Sequence, residues 1–254
     1  MKLIILGSGT SVPHELRASA ANWLETSSGS LLLDVSSDSA HRMAEERVDW
    51  PNLDAIWVSH FHLDHLGGLA PFLFGTKWAP QTRERTKPLG IYGPSRLGKI
   101  FRDMNESNNY DLLEQSFPIE LTEVNAGEEF EILPRLRART FSTPHTDESM
   151  AIRLTDERGI SLVYTSDTGY SDQLVEFVSG ARVLLIECSF HKESPAPIHL
   201  ALADAMRVAH TAEPGTLILT HLYPELDGID VAQEARRFWS GEVIAAVDGL
   251  QLEF

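Results

Sequence analysis

Ser59-His60-Phe61-His62-Leu63-Asp64-His65-Leu66-Gly67-Gly68 decides how the rest of the chain is read. Upstream, Leu53 to Ser59 contains the apolar run Ile56-Trp57-Val58, the pattern of a buried strand. Downstream, Leu66, Leu69, Phe72 and Leu73 recur at helical spacing. The polar cluster therefore falls on a strand-to-helix loop, with four metal-ligand side chains inside six residues. His60 and His62 are two apart, so extended backbone presents both to one side. Asp64 and His65 follow where the chain turns and can reach a second point a few ångströms away. Imidazole and carboxylate ligands suit zinc and similar cations, and two-metal hydrolases hold their ions roughly 3.5–4 Å apart.

A chain of 254 residues is long enough for one large domain spanning 1–254 with a substantial core. Hydrophobic residues at 43% and charged residues at 23% put it among ordinary globular proteins. No apolar run approaches the roughly 20 residues of a membrane span, so no membrane partner is expected. Met1-Lys2-Leu3-Ile4-Ile5-Leu6-Gly7 is too short for a signal segment and reads as a first strand. The single cysteine, Cys188, leaves no internal disulfide framework and fits a reducing, cytoplasmic setting. A net charge of -16 runs against the basic face that a long polyanion requires, so nucleic acid is not the expected partner. A local basic patch inside that acidic total stays open.

In chain order, Lys2 to Leu6 is a strand closed by Gly7-Ser8-Gly9-Thr10. This is not a dinucleotide fingerprint, because Gly-x-Gly-x-x-Gly is absent and Pro13 interrupts any helix. Ala21 to Thr26 and Leu31-Leu32-Leu33 form a hairpin ending at Asp34, and a helix covers Ser37 to Glu46. Ala79 to Lys87 reads as a surface loop in which Arg83, Arg85 and Lys87 form a solvated charge cluster, with a substrate patch as the alternative. Ser95 is the expected N-cap of a helix to Asn105. Residues 118–143 alternate through at least three strands. The second half adds strands at Ala151 to Leu154, Ile160 to Thr165, Val183 to Ile186, Thr216 to Thr220 and Val243 to Val247. A helix is expected over His199 to His210, with Leu200, Ala203, Met206 and Val208 on or near its buried side. No linker, low-complexity tract or sequence repeat interrupts the pattern.

His145, Asp167, Glu187 and His221 each stand where an apolar strand stops. Strand ends on one rim of a layered fold converge on one site. Taken singly, His145 could be a turn residue after Pro144, Asp167 a turn cap and His221 a satisfied core group. Together with the first motif they read as one constellation.

His60-x-His62-x-Asp64-His65 on a strand-to-helix loop resembles the signature of the metallo-β-lactamase superfamily. That resemblance implies an α/β fold, a four-layer αββα sandwich of two mixed β-sheets flanked by helices. It implies two divalent metal ions, zinc in the first place, with manganese or iron as alternatives. One ion would be held by His60, His62 and His145, the other by Asp64, His65 and His221, with Asp167 bridging both. A water between two dications would be acidic enough to act as the nucleophile of a hydrolase, with the bridging carboxylate keeping the ions close.

Leu185-Ile186-Glu187-Cys188-Ser189-Phe190, then His199, then Leu219-Thr220-His221 resembles the ribonuclease Z-like branch. Leu6-Gly7-Ser8-Gly9-Thr10-Ser11-Val12-Pro13 and Ala246-Val247-Asp248-Gly249-Leu250 carry the likeness to both ends. The branch uses a histidine in the position of His199 to protonate the leaving oxygen and a glutamate, here Glu187, to orient it. Asp64, His199 and Glu187 are thus the expected catalytic residues. The tRNA-processing members carry a long clamping arm, often inserted between the positions of His145 and Asp167, and residues 146–166 hold only two strands and a turn. The usual glycine-bearing segment after the second hairpin is here Asp34-Val35-Ser36-Ser37-Asp38. Relatives without the arm include phosphodiesterases for small substrates, one of which has a structural zinc site of cysteines that a single Cys cannot reproduce. The expected function is hydrolysis of a small phosphodiester or cyclic nucleotide. The alternatives are tRNA 3′ processing, hydrolysis of another ester, lactone or sulfate, and a non-catalytic metal-binding role. Members of this branch are often homodimers.

Overall fold

Apolar runs buried on both faces build this fold. A computed structural model describes residues 1–254. In β1 (Lys2–Gly7), Leu3 and Ile5 face one core while Ile4 and Leu6 face another. β2 (Ala21–Thr26) pairs antiparallel to β1 and β3 (Gly29–Leu33), and in β3 Leu31 and Leu33 point inward while Leu32 points out. Side chains alternate along a strand, so a continuous apolar run demands cover on both sides. The first sheet continues in parallel through β4 (Ala55–Trp57), β5 (Leu89–Pro94) and β6 (Ile119–Val124).

The second sheet starts with the antiparallel strands β7 (Glu129–Leu133), β8 (Leu136–Ser142), β9 (Met150–Asp156) and β10 (Ser161–Tyr164). It continues in parallel through β11 (Val183–Glu187), β12 (Thr216–Thr220) and β13 (Glu242–Ala245). The last strand, β14 (Gln251–Glu253), returns to the first sheet beside β1. Each seven-stranded sheet therefore has the same plan, three antiparallel pairings followed by three parallel ones. Leu31 and Trp57 of one sheet meet Ile152, Leu185 and Ile218 of the other between the layers.

Helices cover the two outer faces. On the first sheet these are α1 (Ser39–Glu45), α2 (Leu63–Leu66), α3 (Leu69–Trp78) and α4 (Leu97–Glu106), inserting Met43, Leu66, Phe72 and Phe101. On the second they are α5 (Asp172–Val178), α6 (Leu202–Ala212) and α7 (Val231–Ala235), inserting Leu174, Met206 and Val231. Each fully buried leucine contributes roughly 1.5–3 kcal/mol by leaving water. The four-layer αββα sandwich of two mixed sheets is as expected. No helix is long and apolar enough to cross a membrane.

Three local expectations are corrected. Ser95 does not cap α4: the cap position is Arg96 in left-handed backbone at φ 81°, and Glu123 Oε1 takes the Gly98 N–H at 2.9 Å. His199 does not sit in α6, which begins at Leu202, and Ala203 faces solvent. Phe190 and Ala201 instead form a short bridge that brings His199 back over the end of β11. The basic loop is not a solvated cluster throughout. Arg85 is only 8% exposed and donates to the carbonyls of Lys87, Pro51, Leu53 and Pro88 at 2.7–2.9 Å. Its guanidinium lies 4.1 Å from the centre of the Phe117 ring, while Lys87 pairs with Asp54. Arg85 thus ties the start of β5 to the segment that leads into β4. Arg85→Ala leaves several carbonyls without donors, and a denaturant titration should show about 2–4 kcal/mol of lost stability.

Candidate metal centre

Strand direction delivers the predicted residues to one rim. His60 follows the end of β4 by three residues, Asp167 follows β10 by three and His145 follows β8 by three. Glu187 is the last residue of β11, and His221 comes directly after β12 in left-handed backbone at φ 57°. The rim is where the sheets are tied together, since Met150 N donates to Ser59 O at 3.1 Å. Asp64 and His65 lie within the single turn of α2, so the motif is half strand exit and half helix. That turn docks on the segment after β3: Val35 N donates to His65 O at 2.7 Å and Gly68 N to Val35 O at 2.8 Å. A Cβ on Gly68 would lie 1.9 Å from Ser36 O, so only glycine permits the approach.

The residues converge in the two expected sets. His60, His62, His145 and Asp167 offer ligand atoms within 4.8 Å of one another, and so do Asp64, His65 and His221. A third grouping, Asp167, His199 and His221, meets the same limit and brings His199 against the second set. Asp167 lies between the sets. Its Oδ1 is 3.2 Å from His65 Nε2 and 3.3 Å from His221 Nε2, while its Oδ2 is 3.5 Å from His145 Nε2 and 3.8 Å from His60 Nε2.

The donor set fits cations. His60 Nε2, His65 Nε2, His221 Nε2 and Asp167 Oδ1 are buried and make no hydrogen bond, although they face one another at these short distances. His62 Nδ1 and His145 Nε2 lie within hydrogen-bond distance of each other at 3.1 Å.

The outward nitrogens explain why the inward ones are free lone pairs. His65 Nδ1 donates to Asp34 Oδ2 at 2.7 Å and His145 Nδ1 to Ile198 O at 3.0 Å, since both oxygens can only accept. Ser59 Oγ donates to Asp34 Oδ2 at 2.8 Å and so accepts from His60 Nδ1 at 3.0 Å. Ser189 Oγ donates to Glu187 Oε2 at 2.5 Å and accepts from His221 Nδ1 at 3.0 Å. In all four rings the proton is held outside and Nε2 is presented inward, the arrangement that metal-ligating histidines require. His199 follows the same rule, with Nδ1 at 3.2 Å from both oxygens of Glu187.

Electrostatics at the rim are those of crowded imidazoles around carboxylates. Burial and the neighbouring His65 pull His60 well below its ordinary pKa, and burial also lowers His145. Burial works against the charge on Asp167, but His221 and His65 outweigh it and hold the carboxyl well below its usual range. Burial opposes positive charge on His65 too, yet Asp167 and Asp34 raise its pKa well above the ordinary value, the same negative surroundings that would favour a cation at Nε2 in place of a proton. At His199 the Glu187 carboxylate overcomes burial and raises the pKa. Burial and Glu187 push the Cys188 thiol up, and its side chain packs in the apolar core apart from the ligand clusters.

Three functional residues escape the sequence reading. Asp34, fully buried in left-handed backbone at φ 60°, accepts from Ser59 N, Ser59 Oγ, His65 Nδ1 and Tyr164 Oη at 2.7–2.8 Å. It ends the run Leu31-Leu32-Leu33, so the strand-end rule applied ahead of the motif would have found it. Ser59 and Ser189 carry no ligand chemistry and leave no such signal. Asp34→Asn turns an acceptor toward four donors into a group that is half donor. Isothermal titration of metal-free protein should then show Zn²⁺ or Mn²⁺ binding weakened about 10–100-fold.

With this geometry in hand, residues 30–222 match the model of the beta-lactamase superfamily domain. The uncharacterised protein ML1173 of Mycobacterium leprae is 34% identical over 205 residues, covering 76% of this chain and 68% of that protein. The probable metallo-hydrolase YhfI of Bacillus subtilis is 27% identical across 100% of both chains. Its crystal structure superposes with a TM-score of 0.85 at 25% identity, covering 100% of this chain and 99% of that one. A ribonuclease Z of Methanopyrus kandleri is 29% identical over 97% of this chain and 95% of its own. The fold is also that of a diphosphatase from the PhnP family, with a TM-score of 0.77 at 22% identity, covering 100% and 97% of the two chains. The chain belongs to the beta-lactamase superfamily.

Proposed function

We propose that the chain is a metal-dependent hydrolase that cleaves a small phosphodiester or cyclic nucleotide. The ligands would be His60, His62 and His145 for one ion and Asp64, His65 and His221 for the other, with Asp167 shared. When bound, such ions supply Lewis acidity and a water of lowered pKa. The likeness to the probable metallo-hydrolase YhfI over the whole chain supports the hydrolase reading.

The observation that carries the finer reading is the Glu187–His199 pair beside the second ligand set. With Nδ1 bonded to Glu187, His199 has only Nε2 to offer the site, and a proton there suits an alkoxide leaving group. The Glu187 carboxylate opposite that ring raises the His199 pKa and supports the protonated form. Asp64 can align a water through its remaining lone pairs. A phenolate leaving group needs this donor less than an alkoxide does, so the pair suits an ester of an aliphatic alcohol.

The ribonuclease Z relative supports a second reading, tRNA 3′ processing. Two features favour the small substrate. Residues 146–166 are taken up by β9, β10 and a tight turn, and the net charge is -16. Few cationic contacts are then available to release counterions from a tRNA.

Bis-p-nitrophenyl phosphate with added Zn²⁺ or Mn²⁺ tests the hydrolase. His199→Ala should keep its ions yet lose about 10²–10⁴-fold in turnover on alkyl phosphodiesters. The loss should shrink on p-nitrophenyl esters, whose leaving group departs without a proton. Equal losses on both substrates, or a tRNA precursor cleaved in preference to small esters, would contradict the proposal.

A further inference from the structure

Glu187 is fully buried and its carboxylate is crowded with donors. It accepts from Thr168 N, from Ser189 Oγ at 2.5 Å, from Leu200 N at 3.1 Å and from His199 Nδ1 at 3.2 Å. Thr168 and Leu200 are the chain neighbours of Asp167 and His199, so this one group anchors the backbone beside both. Its link to His221 runs through the Ser189 hydroxyl alone. We infer that Ser189 is a positioning residue for metal binding, fixing His221 as the tautomer that can ligate. The inference rests on the proposed two-ion reading and adds a residue to it.

The direction of each proton is forced. Both Glu187 oxygens accept from donors around them and Ser189 Oγ donates to Oε2, so the single hydroxyl proton of Ser189 points at Glu187. The Ser189 oxygen then faces His221 Nδ1, 3.0 Å away, with lone pairs only, and Nδ1 must carry the proton. Nε2 is left bare, 3.5 Å from Asp64 Oδ2 and 3.3 Å from Asp167 Oδ1. Those two carboxylates would equally welcome a proton on Nε2, and that tautomer cannot bind a cation. Ser189, with no exposed surface, decides between the two forms. Ser59 performs the corresponding task for His60, but it also accepts from Ser166 Oγ at 2.6 Å and leans on Asp34, which holds His65 as well. Removing Ser59 would disturb both ligand sets, whereas Ser189 touches only one.

Calorimetric titration of metal-free protein with Mn²⁺ or Zn²⁺ tests this in the wild type, Ser189→Ala and Ser189→Thr. The wild type should take two ions. Ser189→Ala should weaken one of them about 10–100-fold and leave the other unchanged, and Ser189→Thr, which keeps the hydroxyl, should restore it. Unaltered binding of both ions by Ser189→Ala, or equal weakening of both, overturns the inference. A wild type that binds no ion overturns the two-ion reading on which it stands, a failure visible before any variant is compared. Should either variant fold poorly, imidazole nitrogen–proton correlation spectra of the zinc-loaded wild type read the tautomer directly. A proton on Nδ1 of His221 supports the inference, and an Nδ1 without one overturns it.

Discussion

Four polar atoms buried against one another without hydrogen bonds set the terms for the rest of this molecule. His60 Nε2, His65 Nε2, His221 Nε2 and Asp167 Oδ1 meet at the rim of two sheets. Leaving one such group unsatisfied costs about 1–3 kcal/mol, so four together cost roughly 4–12 kcal/mol. A whole domain is stable by only about 5–15 kcal/mol. An arrangement this expensive is tolerable when a cation completes it, because one charge then satisfies several lone pairs at once.

Two buried carboxylates hold that arrangement in place. Asp34 sits at the end of β3 and organises His60 through Ser59 and His65 directly. Glu187 sits at the end of β11 and organises His221 through Ser189 and His199 directly. Each carboxylate–serine–histidine chain belongs to one sheet, and each sheet has the same order of antiparallel and parallel pairings. Tyr164 of the second sheet donates to Asp34 of the first, which ties the two halves at the level of the site. Where the 190–199 segment crosses the rim, Gly169 allows its closest approach: a Cβ there would lie 1.8 Å from Pro197 O.

Much of this was legible from residues alone. The His60 to His65 motif and the strand-end positions of His145, Asp167, Glu187 and His221 pointed to residues that the fold brings together at one rim, because a strand's direction survives in its apolar pattern. The four layers followed from family likeness and from runs such as Leu31-Leu32-Leu33, which need cover on both faces. The repeated sheet plan was invisible, since equivalent strands share direction and order rather than sequence. Arg85 was misread because a charge in a polar loop looks solvated until its carbonyl partners, two of them more than 30 residues away in sequence, are folded around it. His199 was placed in a helix because Leu200, Met206 and Val208 fit helical spacing. The bridge between Phe190 and Ala201 delays the helix and frees the ring to face Glu187.

The central claim is that this rim holds two cations that share Asp167. Anomalous diffraction from crystals of the protein loaded with Zn²⁺ or Mn²⁺ tests it most directly. The account predicts two peaks per chain, roughly 3.5–4 Å apart, one among His60, His62 and His145 and one among Asp64, His65 and His221. A single peak, or peaks away from Asp167, would contradict it.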